Sequence, residues 1–246
     1  MPRYKLTIEY DGTNFVGWQQ QDNGPSVQAA LQTAALNFVG AHVDCMAAGR
    51  TDSGVHALGQ VAHLDLPSHY DTDTVRDALN AHLRPAPIAV LDVERVSEQF
   101  HARFSATRRT YRYVIVNRRT PLTVKRGRAW LVPRPLDENA MLEASKHLLG
   151  KHDFTSFRAA ECQAISAVKT LETLESVRTG DHINITAGAR SFLRRQVRNI
   201  VGTLVMVGEG KIIPGQVANI LAARDRESAG PCAPPDGLYL VSVEYD

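Results

Sequence analysis

Two hydrophobic periods alternate along this chain, and their order restricts its fold more than any single residue does. Residues 4–10, Tyr-Lys-Leu-Thr-Ile-Glu-Tyr, repeat at every second position as a half-buried strand does, and Asp11-Gly12 closes them. After a loop over residues 13–24, Ser26 is placed to cap a helix with apolar face Val27, Ala30, Leu31, Ala34 and Phe38, and Gly40 stops it. Strands are expected at 43–47 and 60–66, then a helix capped by Asp73 that runs through Val75, Ala78, Leu79 and Leu83 to Pro85, then a strand at Ile88–Val96. That order, β-α-β-β-α-β, is the split βαβ arrangement of an antiparallel sheet with both helices on one face. The second half has a similar order without sequence repetition. A strand at 110–117 precedes a helix capped by Asp137 and ended by Gly150, and strand candidates lie near 154–157, 168–177 and 182–187. A long helix over 191–207, a short one begun by Pro214 and a closing strand at Leu238–Tyr245 complete it. The expectation is an α+β protein of two ferredoxin-like halves, residues 1–105 and 106–246, with a binding cleft at their junction.

The distribution of charge says more about partners than the net charge of +2. No acid lies between Glu98 and Asp137, while Arg103, Arg108, Arg109, Arg112, Arg118, Arg119, Lys125, Arg126, Arg128 and Arg134 all do. Arg190, Arg194, Arg195 and Arg198 form a second cluster. Solvated faces normally mix signs, so these runs point to a polyanion such as RNA. The three cysteines, Cys45, Cys162 and Cys232, form no Cys-x-x-Cys pair and suit a reducing cytosol. No apolar run reaches membrane-spanning length, and Met1-Pro2-Arg3-Tyr4 reads as the start of a strand rather than a leader, so a cytoplasmic protein without membrane contact is expected.

Within this frame one stretch presents an acid. Ala48-Gly49-Arg50-Thr51-Asp52-Ser53-Gly54-Val55-His56-Ala57 sets a carboxylate two residues after an arginine, with a glycine on either side. Asp-Ser-Gly is also an ordinary turn. The glycines are spaced as in a phosphate loop, but Val55 and His56 stand where Lys and Ser/Thr belong. No Gly-x-Gly-x-x-Gly turn follows a strand, and no His-x-Glu with Pro-Cys-x-x-Cys is present. His56, His63 and Asp65 match no familiar metal spacing. The expectation is therefore no metal and no cofactor. A nucleoside hydrolase would need a second carboxylate, for which Glu9 and Asp65 are the candidates. A non-catalytic RNA-binding module would explain the arginines but not the acid loop. In the long helix Arg198 shares a face with Val201 and Val205, and a guanidinium there needs a partner: a local one, or Asp52. Tyr111 lies among Arg108, Arg109 and Arg112, either as a core residue or as a surface on which a base stacks.

Seven stretches in order resemble those of the tRNA pseudouridine synthases of the TruA type. They are Tyr10-Asp11-Gly12-Thr13-x-Phe15-x-Gly17-Trp18-Gln19-x-Gln21; the acid loop with Gly59-Gln60-Val61-Ala62; Phe100-His101-Ala102-Arg103-Phe104-Ser105-Ala106; Arg109-x-Tyr111-Arg112-Tyr113; Asp153-Phe154-Thr155-Ser156-Phe157; Val197-Arg198-Asn199-Ile200-Val201-Gly202; and Gly237-Leu238-Tyr239-Leu240. The resemblance implies two RNA-recognition-like halves, a pseudouridine-synthase sheet with helices on one side, a homodimer, and tRNA as substrate at uridines 38–40 of the anticodon stem-loop. It implies Asp52 as catalytic acid, Arg50 as the arginine that assists base flipping, and Tyr111 packed on the base. Arg198 would partner the acid, and Leu238 would line the pocket. RNA contacts are expected from Arg103, Arg108, Arg109, Arg112, Arg194 and Arg195. Arg194-Arg195-Gln196 departs from the His/Tyr-His-Met type of run expected there.

Overall fold

A computed structural model describes all 246 residues. In chain order the elements are β1 (Arg3–Tyr10), α1 (Val27–Val39), β2 (Cys45–Ala47), β3 (His56–Asp65), α2 (Thr72–Leu83), β4 (Ile88–Val96), β5 (Ala106–Val116), β6 (Trp130–Leu131), α3 (Glu138–Lys146), β7 (Gly150–Asp153), β8 (Val168–Thr179), β9 (His182–Ala189), α4 (Gln196–Gly208), α5 (Gln216–Ala223) and β10 (Leu238–Tyr245). The protein is α+β, with mostly antiparallel strand pairing and five helices. It divides into two compact units, Met1–Thr107 with Tyr239–Asp246, and Arg108–Leu238. The last strand thus belongs to the unit that holds the first.

In the first unit β1 lies between β4 and β3, antiparallel to both, with Arg3 opposite Asp65 and Tyr10 opposite Ala57. Alternation along β1 sends Tyr4, Leu6, Ile8 and Tyr10 into the core. Two strands share the other edge of β3. The short β2 pairs antiparallel with residues 62–64, and β10 pairs parallel at Tyr239↔His56 and Leu240↔Ala57. α1 is capped as its sequence predicts: Ser26 Oγ accepts from the Ala29 amide at 3.2 Å, and Gly40 ends it with φ +72°. α2 differs. Its first flanking residue is Asp71, while Asp73 sits inside the first turn and pairs with Arg76 at 2.9 Å. β3 begins at His56 rather than at 60, because Tyr10 and Tyr239, distant in sequence, supply its first partners.

In the second unit the sheet order is β5-β9-β8-β7, antiparallel throughout, with β6 parallel to β5. Tyr113, Ile115, Phe154, Phe157, Ile183, Ile185, Ile200 and Leu204 are buried in its core. Three expectations fail here for local reasons. The strand near 154–157 is instead β7 followed by a single 3-10 turn, Thr155–Phe157, because Asp153 Oδ1 accepts from the Thr155 amide at 2.9 Å and bends the chain. α3 ends at Lys146, and Gly150 opens a strand instead of stopping the helix. α4 starts at Gln196, not 191. Gln196 Oε1 accepts from the Leu193 amide at 2.8 Å, and Arg195 turns the chain into the helix with φ +60°.

Candidate active site

The acid loop, residues 48–55, runs between β2 and β3 and is held by groups outside itself. The Ala48 amide donates to Val61 O at 2.7 Å, and Gln60 Nε2 donates to Gly49 O at 2.8 Å. The Thr51 and Tyr10 hydroxyls meet at 2.8 Å. Burial pushes the Tyr10 phenol up to about 12, so it keeps its proton at neutral pH. The Trp18 amide donates to Thr51 O at 3.0 Å, and Gly17 bridges Asp52 backbone to backbone. After Asp52 the chain reverses: the Val55 amide donates to Asp52 O at 3.1 Å, with Gly54 at φ +77° as the third residue of a type II turn requires. Ser53 Oγ and the Gly54 amide both donate to Phe15 O.

Two glycines let the strand-end segment 10–18 lie flat against this loop. A β carbon on Gly12 would be 2.0 Å from Val55 O, and one on Gly17, at φ +119°, would be 2.7 Å from Thr51 O. Gly12-x-x-x-x-Gly17 is therefore the wall on which the acid is built. The result is an alternation, with Arg50 exposed, Thr51 buried and Asp52 half-buried. His56 closes the loop. Its Nδ1 lies 3.0 Å from the Gly12 amide and 3.2 Å from Asp11 Oδ1. One nitrogen cannot accept from the amide and donate to the carboxylate at once. We assign it as the amide's acceptor, because Asp11 Oδ1 has Thr13 as another donor, and a buried N–H without an acceptor is costly. The His56 ring also stacks on Tyr239 at 4.7 Å.

The second unit carries Tyr111, Arg198 and Leu238. Arg198 is half-buried, and its Nε donates to Ala233 O at 2.7 Å while its own carbonyl accepts from the Ala233 amide at 3.1 Å. α4 is thereby riveted to the 230–237 segment, which Gly202 allows: a β carbon there would lie 1.7 Å from Pro231 O. Tyr113 donates its hydroxyl to Pro234 O at 2.7 Å, and Leu238, which follows this segment, is buried. Tyr111 lies on the buried face of β5 but is only half-buried, its ring edge-on to Phe192 at 5.2 Å.

Tertiary structure redistributes the basic runs. Arg109, expected at an RNA surface, is buried and donates to Arg190 O. Arg108 spans β9 to pair with Glu172 at 3.1 Å and to donate to Thr173 Oγ1 at 2.6 Å, and Arg118 pairs with Asp181 at 3.0 Å. Arg103 and Arg194 are exposed; Arg112 and Arg195 are half-buried. His63 and Asp65 have structural tasks: His63 Nδ1 accepts from the Ala102 amide at 3.2 Å, and Asp65 takes a two-pronged bond from Arg3 at 2.8 and 2.7 Å. Burial, with the nearby Arg3 and His101, lowers the His63 ring to about 4. No helix is long and apolar enough to cross a membrane.

Sequence reasoning assigned no individual role to Gln60, Phe192 or Ala233. Gln60, a polar residue in the middle of an apolar strand, carried a signal; Ala233, which acts through its backbone, carried none.

A family model described as tRNA pseudouridine synthase matches residues 6–105 and 144–246. Proteins named tRNA pseudouridine synthase A from Rhodopseudomonas palustris (strain HaA2) and Afipia carboxidovorans are each 60% identical to this chain over 245 residues, covering all of both chains. One from Rhodospirillum rubrum is 57% identical, covering all of this chain and 88% of its own.

Proposed function

The chain belongs to the tRNA pseudouridine synthase family and isomerises uridine in tRNA; we propose that its targets are uridines 38–40 of the anticodon stem-loop and that Asp52 carries the chemistry. The reaction breaks C1′–N1, turns the uracil, joins C1′ to C5, and releases the C5 proton while N1 takes one up. Atoms are conserved and no electrons are gained or lost. The target must first leave its stack, at a cost of a few kcal/mol. Arg50, exposed two residues before the acid, fills the vacated space and holds a phosphate or base edge. Asp52 opens the exchange at the sugar or the base, and on the family resemblance Arg198 is its basic partner. Tyr111 packs on the detached uracil while it turns, and Leu238 lines a dry pocket that keeps water from the sugar.

The observation that carries this reading is the acid loop. Its backbone is fixed by Gly17, Gln60, Val61 and the Tyr10–Thr51 pair, and yet Asp52 is left half-exposed. A turn with no task would not need that support. Arg103, Arg112, Arg194 and Arg195 take tRNA phosphates, while Arg108 and Arg109 serve the fold through Glu172 and Arg190. The strand order β4-β1-β3-β2 supports a ferredoxin-like first half carrying the aspartate loop. On the family resemblance we expect a homodimer, which light scattering checks against the 27.1 kDa chain mass.

The test is tritium release from tRNA labelled at uridine C5. The intact protein should release tritium to water and keep the uracil on the RNA; free uracil would mean hydrolysis instead. Asp52→Asn should lower the rate by about 10²–10⁴-fold, the usual worth of a positioned acid or base, while tRNA binding is retained. Equal loss of binding would make the acid structural.

A further inference from the structure

We propose that Phe104, flanked by Arg103 and His101, is a stacking shelf for an unstacked nucleobase of the tRNA, separate from the uridine on which Asp52 acts. The inference rests on the tRNA reading above and adds a subsite to it. Phe104 is 69% exposed, unlike the Phe residues of the core. Leaving such a ring in water forgoes the gain of burying it.

The segment that presents it is tightly built. Arg3, already bonded to Asp65, donates from Nη1 to Glu98 O at 2.7 Å and to Phe100 O at 2.6 Å. The Ala102 amide donates to His63, and Ala102 O accepts the Tyr245 hydroxyl at 2.7 Å. The Ser105 amide donates to His101 O, and the His101 amide to Ser105 Oγ, both at 2.9 Å. The amides of Arg103 and Phe104 converge on His101 Nδ1 at 3.1 and 3.4 Å. Residues from β1, β3 and β10 thus fix one turn whose product is an outward-facing ring.

Its surroundings select the occupant. The His101 ring lies 4.4 Å from that of Phe104, tilted by 39°, and the Arg103 guanidinium carbon is 5.5 Å from the Phe104 centroid. Burial and the charges of Arg3 and Arg103 lower the His101 pKa, so the pair offers a neutral aromatic surface beside one cation. An exposed aromatic ring with a second aromatic and a guanidinium over it suits a base and its phosphate better than an aliphatic side chain. The shelf is also joined to the acid loop: Ala102 packs in one buried cluster with Val61 and Ala48, the residue that opens that loop.

The experiment measures equilibrium binding of tRNA by Phe104→Ala, Phe104→Leu and Phe104→Trp, with thermal melting as a control. The Ala and Leu proteins should bind about tenfold more weakly, the scale of one lost base–aromatic stack, and Trp should restore binding. Ultraviolet crosslinking should attach RNA to the peptide containing Phe104. Melting should be unaltered, because the ring is exposed. Undiminished binding by the Ala protein overturns the proposal. So does Leu restoring binding as fully as Trp, or a change of oligomeric state in the Ala protein, which would make the ring a contact between protein chains. Failure of the wild-type protein to form pseudouridine would instead overturn the activity reading.

Discussion

Gly12 and Gly17 govern Asp52 through its backbone, because each has only a hydrogen where the acid loop passes. The Gly12→Ala methyl would meet Val55 O, a backbone atom that cannot rotate away. Overpacking of this kind costs about 1–3 kcal/mol, so a urea titration should find that loss, and tritium release should fall further than stability does, because the loop carrying the acid must shift. His63 gives a second residue-scale test, on pH. Its unfolded ring protonates near 6.5 and its folded ring only near 4. Between those values the unfolded state binds more protons, so stability should fall as pH is lowered from about 6.5 towards 4, by at most about 1.4 kcal/mol per pH unit. Protonation would also cost the Ala102 amide its acceptor. His63→Asn, which keeps an oxygen near that amide but does not titrate, should flatten this part of the curve measured by denaturation at successive pH values.

Among the elements, α4 shows how a helix is placed by its ends and by one close contact. Gln196 does for the amide of Leu193 what an N-cap side chain does at an ordinary helix start. Gln196→Ala should therefore cost about 1 kcal/mol in chemical denaturation. That gives a structural reason for the last residue of the Arg194-Arg195-Gln196 departure, which the family resemblance alone did not supply. The stripe Leu193, Val197, Ile200 and Leu204 was legible because helical periodicity is local, and all four are buried. The start of the helix was not, because residues 191–195 continue the apolar and basic pattern while Arg195 turns to a positive φ. The partner of Arg198 was also illegible in part: the sequence offered a choice of anions, and its Nε is held by a carbonyl brought in by the 230–237 segment.

The whole chain is organised by a strand that leaves one unit and returns. β10 supplies Tyr239 against His56 and Tyr245 against Ala102, both in the unit that the chain first exits at Thr107. A fragment of residues 1–107 alone should unfold at lower urea than the same fragment with residues 239–246 joined by a flexible linker. Charge works at this scale as well. Arg194→Gln should lower the salt dependence of tRNA binding by about 0.7–0.9 in the slope of log affinity against log salt, one phosphate contact. Arg108→Gln, already paired with Glu172, should lower stability and leave that slope unchanged.

Local pattern determined what depends on neighbours a few residues away: the type and order of most elements, the caps of α1, the buried stripe of α4, and an acid in a glycine-flanked turn. The tertiary structure alone decided which arginines face solvent, which strand completes β3, and what holds the acid loop in shape. Glu172, Asp181, Tyr239 and the carbonyl of Ala233 meet their partners only after folding brings together residues that are tens of positions or more apart. Hydrophobic period is written into consecutive residues, whereas a hydrogen bond or ion pair between distant residues is specified by the packing of everything between them.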